Sequence, residues 1–223
     1  MSKKIVALIP LRGGSKSIKN KNIKNISGKP LCEWVLRSSI KSHLISDTYV
    51  STDSEKIKSV VNNISKEIKI IDRPIEYARD ESTTESVIQH FQTKIDFDYI
   101  VTIQATSPLL HHKQLDEALN YFLQHDYDSL LSVVRTKRFF WDNEGSPINY
   151  NPQNRPRRQD YQGIFMENGA FYITSKEIFE RTGSRLGGKI GLYEMPEETG
   201  LEIDEPLDWE IIEKQLSNYS RFN

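Results

Sequence analysis

Ile5-Val-Ala-Leu-Ile-Pro-Leu-Arg-Gly-Gly-Ser-Lys-Ser-Ile-Lys-Asn-Lys-Asn22 is the stretch whose reading decides the fold. Its first five residues form a continuous apolar run, the pattern of a short strand buried on both faces of a parallel sheet. A loop rich in glycine and basic residues follows at once. Gly13 and Gly14 permit close backbone approach and positive φ, and successive N–H groups in such a turn form an anion nest. Arg12, Lys16, Lys19, Lys21 and Lys24 bring several positive charges to one loop, as neutralising a triphosphate requires. Ligands of open α/β sheets sit at the carboxyl ends of the strands, so a loop in this position reads as phosphate-binding rather than as solvated surface. It is neither a Walker A motif nor a dinucleotide Gly-x-Gly-x-x-Gly turn.

Working outward, strands and helices alternate. Helical spacing runs from Leu31 to Ile40, a second strand over Asp47–Ser51, and a helix over Ser54–Ile64 with Asp53 as its N-cap. A third strand is expected over Glu67–Ile71. Ser82-Thr-Thr-Glu85 has capping-box spacing before Val87, Ile88 and Phe91. Tyr99–Ile103 and Ser129–Val134 read as strands four and five around a helix at Gln114–Gln124. This order predicts an α/β fold, a Rossmann-like doubly wound and mainly parallel sheet, in a single domain spanning residues 1–223. Residues 138–162 break the pattern, being rich in Asn, Pro, Arg and Gln, and read as an inserted hairpin, lid or dimerisation arm. Strand character returns over Gly169–Ile173. Glu202–Asp204 is expected as a last short strand, with Pro206 in the first turn of a closing helix that runs to about Leu216.

Composition narrows the function. A net charge of −1, with 37% hydrophobic and 27% charged residues, fits a globular chain and argues against bulk nucleic-acid or anionic-membrane binding. The single cysteine, Cys32, excludes an intramolecular disulfide and a cysteine-rich zinc site. The initial apolar run is broken by Pro10 and Arg12 before it reaches the length of a signal or membrane segment, which gives a cytoplasmic location as the expectation. No Gly-x-Ser-x-Gly elbow occurs and no histidine pair has metal-ligand spacing, so a covalent hydrolase is not indicated.

Four further segments carry polar chemistry. On a strand, Glu202 and Asp204 project to one face while Ile203 enters the core. Two hard oxygen ligands so placed suit Mg²⁺ (or Mn²⁺) held together with substrate phosphates, the alternative being a solvated strand end. Gln104-Ala-Thr-Ser-Pro108 follows the fourth strand, so Gln104, Thr106 and Ser107 are set to hydrogen-bond a base or sugar, or merely to form a capped turn. In Arg155-Pro-Arg-Arg-Gln159, Arg157 or Arg158 can hold a carboxylate through a bidentate pair, or can belong to a solvated basic stretch. Asn168-Gly169 reads as a tight turn entering a strand.

Together these segments resemble the acylneuraminate cytidylyltransferases over nearly the whole chain. The matching segments are Ile9 to Asn22, Gln104-Ala-Thr-Ser-Pro-Leu109, Pro156-Arg157, Glu167-Asn-Gly-Ala-Phe-Tyr-Ile173 and Glu202-Ile-Asp204, in the family's order. The related Kdo cytidylyltransferases share the fold but carry a different first loop. The resemblance implies that CTP and an acidic nine-carbon 2-keto sugar yield a CMP-sugar and pyrophosphate. It implies that Leu11, Arg12, Gly13, Gly14, Ser15, Lys21, Asn22, Arg73 and Ser82 form the nucleotide site, with Arg12, Lys16, Lys21 and Asp204 acting in the transfer itself. It places Gln104, Thr106, Ser107, Arg157 and Asn168 on the sugar side, a divalent metal on Glu202 and Asp204, and a homodimer in which the 138–162 arm reaches the partner's site. Two positions depart from the family pattern: Glu202 stands where Asp is usual, and Met166 where several relatives carry arginine. Two alternatives stay open: a nucleotidyltransferase for another sugar or triphosphate, such as a GTP-dependent one, and a non-catalytic nucleotide-sugar binder. Paired metal carboxylates favour an enzyme over a binder.

Overall fold

The computed structural model describes residues 3–219. In chain order the elements are β1 (Ile5–Pro10), the two-residue strands β2 (Asn25–Ile26) and β3 (Lys29–Pro30), α1 (Leu31–Lys41), β4 (Asp47–Thr52), α2 (Glu55–Ile64), β5 (Lys69–Asp72), α3 (Thr84–Gln92), β6 (Tyr99–Ile103), α4 (His112–Gln124), β7 (Ser129–Thr136), β8 (Ile164–Ser175), α5 (Lys176–Thr182), β9 (Ile190–Met195) and α6 (Pro206–Tyr219). The main sheet has the order β5-β4-β1-β6-β8-β7-β9. β1 pairs in parallel with β4 and β6, whereas β8 runs antiparallel to both of its neighbours. The α/β, mainly parallel sheet read from the sequence is therefore the fold. Among the described residues no helix is long and apolar enough to cross a membrane.

β1 shows why the sheet needs two layers of helix. Ile5, Ala7 and Ile9 join a core with Val35 and Leu36 of α1, Ile57 and Val61 of α2, and Leu115 and Leu119 of α4. Val6 and Leu8 face the other way, toward Val87, Ile88 and Phe91 of α3 and Phe179 of α5. Alternation along one apolar strand thus feeds both layers. A third cluster lies at the carboxyl end of the sheet, where Ile18 packs with Ile26, Leu31, Leu109, Ile203, Trp209, Ile212 and Leu216. That cluster fastens the basic loop, the short β2–β3 ribbon and α6 together.

Four local expectations change. Ser54, not Asp53, caps α2, its hydroxyl accepting from the Ile57 amide. Thr83, not Ser82, caps α3 by accepting from the Ser86 amide, while Ser82 donates to the Glu76 carbonyl. Asn168-Gly169 is no entering turn. It lies inside β8, where Gly169 has φ +64° and the β7–β8 register shifts between Leu131 and Val133. Among the described residues Glu202–Asp204 joins no strand; the Ile203 amide donates to the Thr106 carbonyl at 2.9 Å. β9 and α5 were not expected, because β9 is an edge strand with Ile190 and Leu192 exposed.

The excursion between β7 and β8 is a folded appendage. Trp141 and Pro147 form an isolated bridge around a turn in which Asp142 Oδ1 accepts from the Ser146 amide at 2.7 Å. Phe139 packs at a tilt against Tyr150 and Tyr161, and the Arg155 guanidinium sits 4.8 Å from the Phe139 ring.

Candidate active site

From β1 the chain turns to β4 on one side, and it later returns to place β6 on the other. The loops after β1 and β6 splay apart there, as at any such reversal of strand order. They bound a cleft of about 530 Å³. Arg12, Gly14, Ser15, Lys16, Ser17, Lys21 and Asn22 line it from the basic loop, and Gln104 and Thr106 from the end of β6. Arg73, Ser82, Thr83 and Asp204 complete the wall.

The basic loop is held open by specific bonds. Asn22 Nδ2 donates to the Arg12 carbonyl at 3.0 Å. The Gly13 amide donates to Asp53 Oδ1 at 2.8 Å. Gly13 is required by space rather than by dihedral angle: neither it nor Gly14 is among the positive-φ glycines, but a Cβ on Gly13 would stand 2.9 Å from Ser54 Cβ. The expected nest is corrected accordingly, since Gly13 spends its N–H on Asp53 and Leu11 spends its own on the Ser51 carbonyl. Leu11 is fully buried, so Leu11 and Gly13 shape the loop while Gly14 and Ser15 face the cleft.

Arg73 is buried, with its guanidinium donating to the Ser51 hydroxyl and carbonyl at the end of β4. Burial, with the nearby Arg12 adding to it, pulls its pKa down to about 10, so it remains charged at neutral pH. It therefore supplies a fixed cation in the floor of the cleft.

The two acidic residues reach the site through Ile203. With Ile203 fully buried beside Ile18, Lys21 Nζ donates to the Ile203 carbonyl at 2.9 Å and to Asp204 Oδ1 at 3.2 Å. Ser17 donates to the Asp204 carbonyl. The Lys21 side chain is only 15% exposed and that of Asp204 is 63% exposed, so Asp204 opens on the cleft. Glu202 is set further back and accepts from Thr106 Oγ1 at 3.4 Å. Burial first, and the charge of Asp204 second, raise its pKa above the usual carboxylate value. The in–out alternation expected of a strand thus survives without a strand. Among the described residues no three His, Cys, Asp or Glu side chains gather as a metal-binding group. The pair offers hard oxygen donors, with Lys21 engaging one oxygen of Asp204 and Thr106 one of Glu202, which fits a divalent cation that brings its remaining ligands from phosphate and water.

Three expected sugar-side residues lie elsewhere. Arg157 stands in the excursion, 77% exposed and paired with Asp160 at 2.8 Å. It lines a separate hollow with Lys137, Arg138, Arg155 and Arg158. Asn168 is buried, and its amide donates to the Thr199 carbonyl and hydroxyl, both at 3.2 Å, so it braces β8 instead of facing the cleft. Ser107 is buried in the turn after β6. Sequence reasoning missed Ser17 and Asp80 and gave Asp53 only a capping role, because their contacts are to partners 187, 68 and 40 residues away. Lys24 lies over the Trp209 ring at 4.3 Å and does not line the cleft. Cys32 is buried with its thiol pushed up to about 12, which leaves it inert as a nucleophile.

Comparison with known proteins places this geometry. The family model described as cytidylyltransferase matches residues 6–220. N-acylneuraminate cytidylyltransferase A of Danio rerio is 41% identical over 99% of this chain and 53% of its own length. N-acylneuraminate cytidylyltransferase of Oncorhynchus mykiss is 40% identical over 98% of this chain and 51% of its own. The chain thus spans about half the length of these curated relatives. A solved structure of CMP:2-keto-3-deoxy-manno-octonic acid synthetase complexed with CTP superposes with a TM-score of 0.73, covering 97% of this chain and 99% of that one at 15% identity. That likeness is one of fold.

Proposed function

The chain belongs to the cytidylyltransferase family, and from that premise we propose that it joins CTP to an acidic nine-carbon 2-keto sugar of the sialic type, releasing pyrophosphate. The observation that carries this reading is a single cleft at the strand-order reversal, in which the cations of the basic loop meet the carboxylate of Asp204. The vertebrate relatives' names support the sugar class.

In the transfer the anomeric hydroxyl oxygen of the sugar bonds to the α-phosphorus of CTP, the bond from that phosphorus to the pyrophosphate oxygen breaks, and the hydroxyl proton is lost. Arg12, Lys16 and Lys21 neutralise the phosphates and the charge that grows on the leaving pyrophosphate. Arg73 and Ser82, which line the cleft, would contact the nucleotide, and Gln104 and Thr106, at the end of β6, would contact the sugar. Asp204 and, behind Thr106, Glu202 would hold Mg²⁺. When bound, that ion polarises phosphate and hydroxyl oxygens. Lys21 fixes Asp204 through one oxygen, leaving the other free to ligate. Arg157 lies outside its own chain's cleft, so its proposed sugar contact needs a second copy to deliver the arm. We accordingly propose a homodimer.

The test is Asp204→Asn. It is expected to abolish pyrophosphate release while CTP still binds, and unchanged turnover would remove the metal role.

A further inference from the structure

Asp80 lies in the turn between Tyr77 and α3, and its two carboxylate oxygens are divided between two cations of the basic loop. Oδ1 is 2.6 Å from Arg12 Nη1 and Oδ2 is 2.8 Å from Lys16 Nζ. Both cations line the cleft, and among the described residues no other carboxylate pairs with either. One carboxylate bridging an arginine and a lysine has the chemistry of a phosphate group bridging them. Lys16 first, and Arg12 second, hold the Asp80 carboxyl below its usual range, so it stays ionised. The turn is braced rather than loose: the Ser82 amide donates to the Arg79 carbonyl at 3.1 Å, Ser82 Oγ donates to the Glu76 carbonyl at 3.0 Å, and Tyr77 stacks on His90 at 5.2 Å.

We propose that Asp80 is an internal competitor for the phosphate site, occupying Arg12 and Lys16 when no triphosphate is bound and returning to them as pyrophosphate leaves. The proposal rests on the nucleotide reading above and adds a specificity-determining residue to it. A ligand must offer more negative charge than one carboxylate to displace Asp80, which favours a triphosphate over a mononucleotide. The same competition shortens the stay of the pyrophosphate product. The pairs are open to water, with Asp80 44% exposed and Lys16 79% exposed, so the effect is moderate. It corresponds to about three- to tenfold in a dissociation constant, the scale of two exposed ion pairs.

The experiment is calorimetric titration of the full chain with pyrophosphate, CTP and cytidine. Asp80→Asn is isosteric on an exposed turn; Asp80→Ala is the second variant; Glu81→Gln, on the same turn, controls for the change in net charge. Both Asp80 variants are expected to bind pyrophosphate and CTP about three- to tenfold more tightly, cytidine affinity is expected to stay fixed, and Glu81→Gln is expected to move pyrophosphate binding less. Weaker or unchanged pyrophosphate binding in the Asp80 variants would overturn the competitor role, as would an equal gain in Glu81→Gln. A wild-type chain that binds neither CTP nor pyrophosphate would overturn the nucleotide reading itself.

Discussion

Gly169→Ala tests the link between the backbone of β8 and the acidic pair. Gly169 sits at φ +64°, where an alanine costs about 1–2 kcal/mol. The added Cβ would stand 2.8 Å from Glu202 Oε2 and 3.3 Å from its Cδ. Glu202 must then retreat by about 0.6 Å, the gap between 2.8 Å and the 3.4 Å at which ordinary contact begins. Metal–ligand distances tolerate about 0.2 Å, so the shift exceeds what direct ligation allows by about threefold. If Glu202 helps to hold Mg²⁺, apparent metal affinity falls about 10- to 100-fold, the range seen when supporting groups of a metal site are lost. The backbone cost lowers the melting temperature by about 2–8 °C. The assay is pyrophosphate release titrated with Mg²⁺, with thermal melting of the same sample in EDTA. A lowered melting temperature with unchanged Mg²⁺ activation would refute the reasoning, because it would show that the Glu202 carboxylate can move without consequence for the metal.

Two further outcomes are expected. The Glu202 carboxyl is raised in the folded protein by burial and by Asp204, so the fold keeps a proton that the unfolded chain has already released near pH 4.5. Metal-free stability therefore falls as pH rises from there through the raised value. Glu202→Gln removes this slope and melts higher than wild type at neutral pH in EDTA while losing pyrophosphate release; identical pH slopes in the two proteins would contradict the assignment. Sedimentation velocity at micromolar concentration is expected to give a homodimer, with Arg157→Ala raising KM for the acid sugar but not for CTP. A fully active monomer would remove the proposed arm exchange.

The sheet was legible because its central strands are short apolar runs bounded by polar loops. Ile5–Pro10 and Tyr99–Ile103 need no tertiary information to be recognised, and Pro206 opens its helix by its own fixed φ. The basic loop was legible for the same reason, as local charge after a buried strand. Caps were missed by a single residue, since Asp53 and Ser54 are both good caps and only the Gly13 amide shows why Asp53 is engaged elsewhere. Asn168-Gly169 looked like a turn because its dipeptide is one in isolation; the three-dimensional fact is a positive φ inside a strand, cradling Glu202. The Glu202–Asp204 segment has strand-like alternation without strand pairing, since Ile203 alone fixes which way each neighbour points. Asp80 was invisible, because nothing local marks an acid whose partners, Lys16 and Arg12, lie 64 and 68 residues away.

The most direct test of the account is a pyrophosphate-release screen of the four nucleoside triphosphates against sialic, legionaminic and pseudaminic acids and Kdo, each with and without Mg²⁺. The account predicts release with CTP and a nine-carbon acid, dependent on the metal. Release with another triphosphate in place of CTP, or none with any combination, would contradict it.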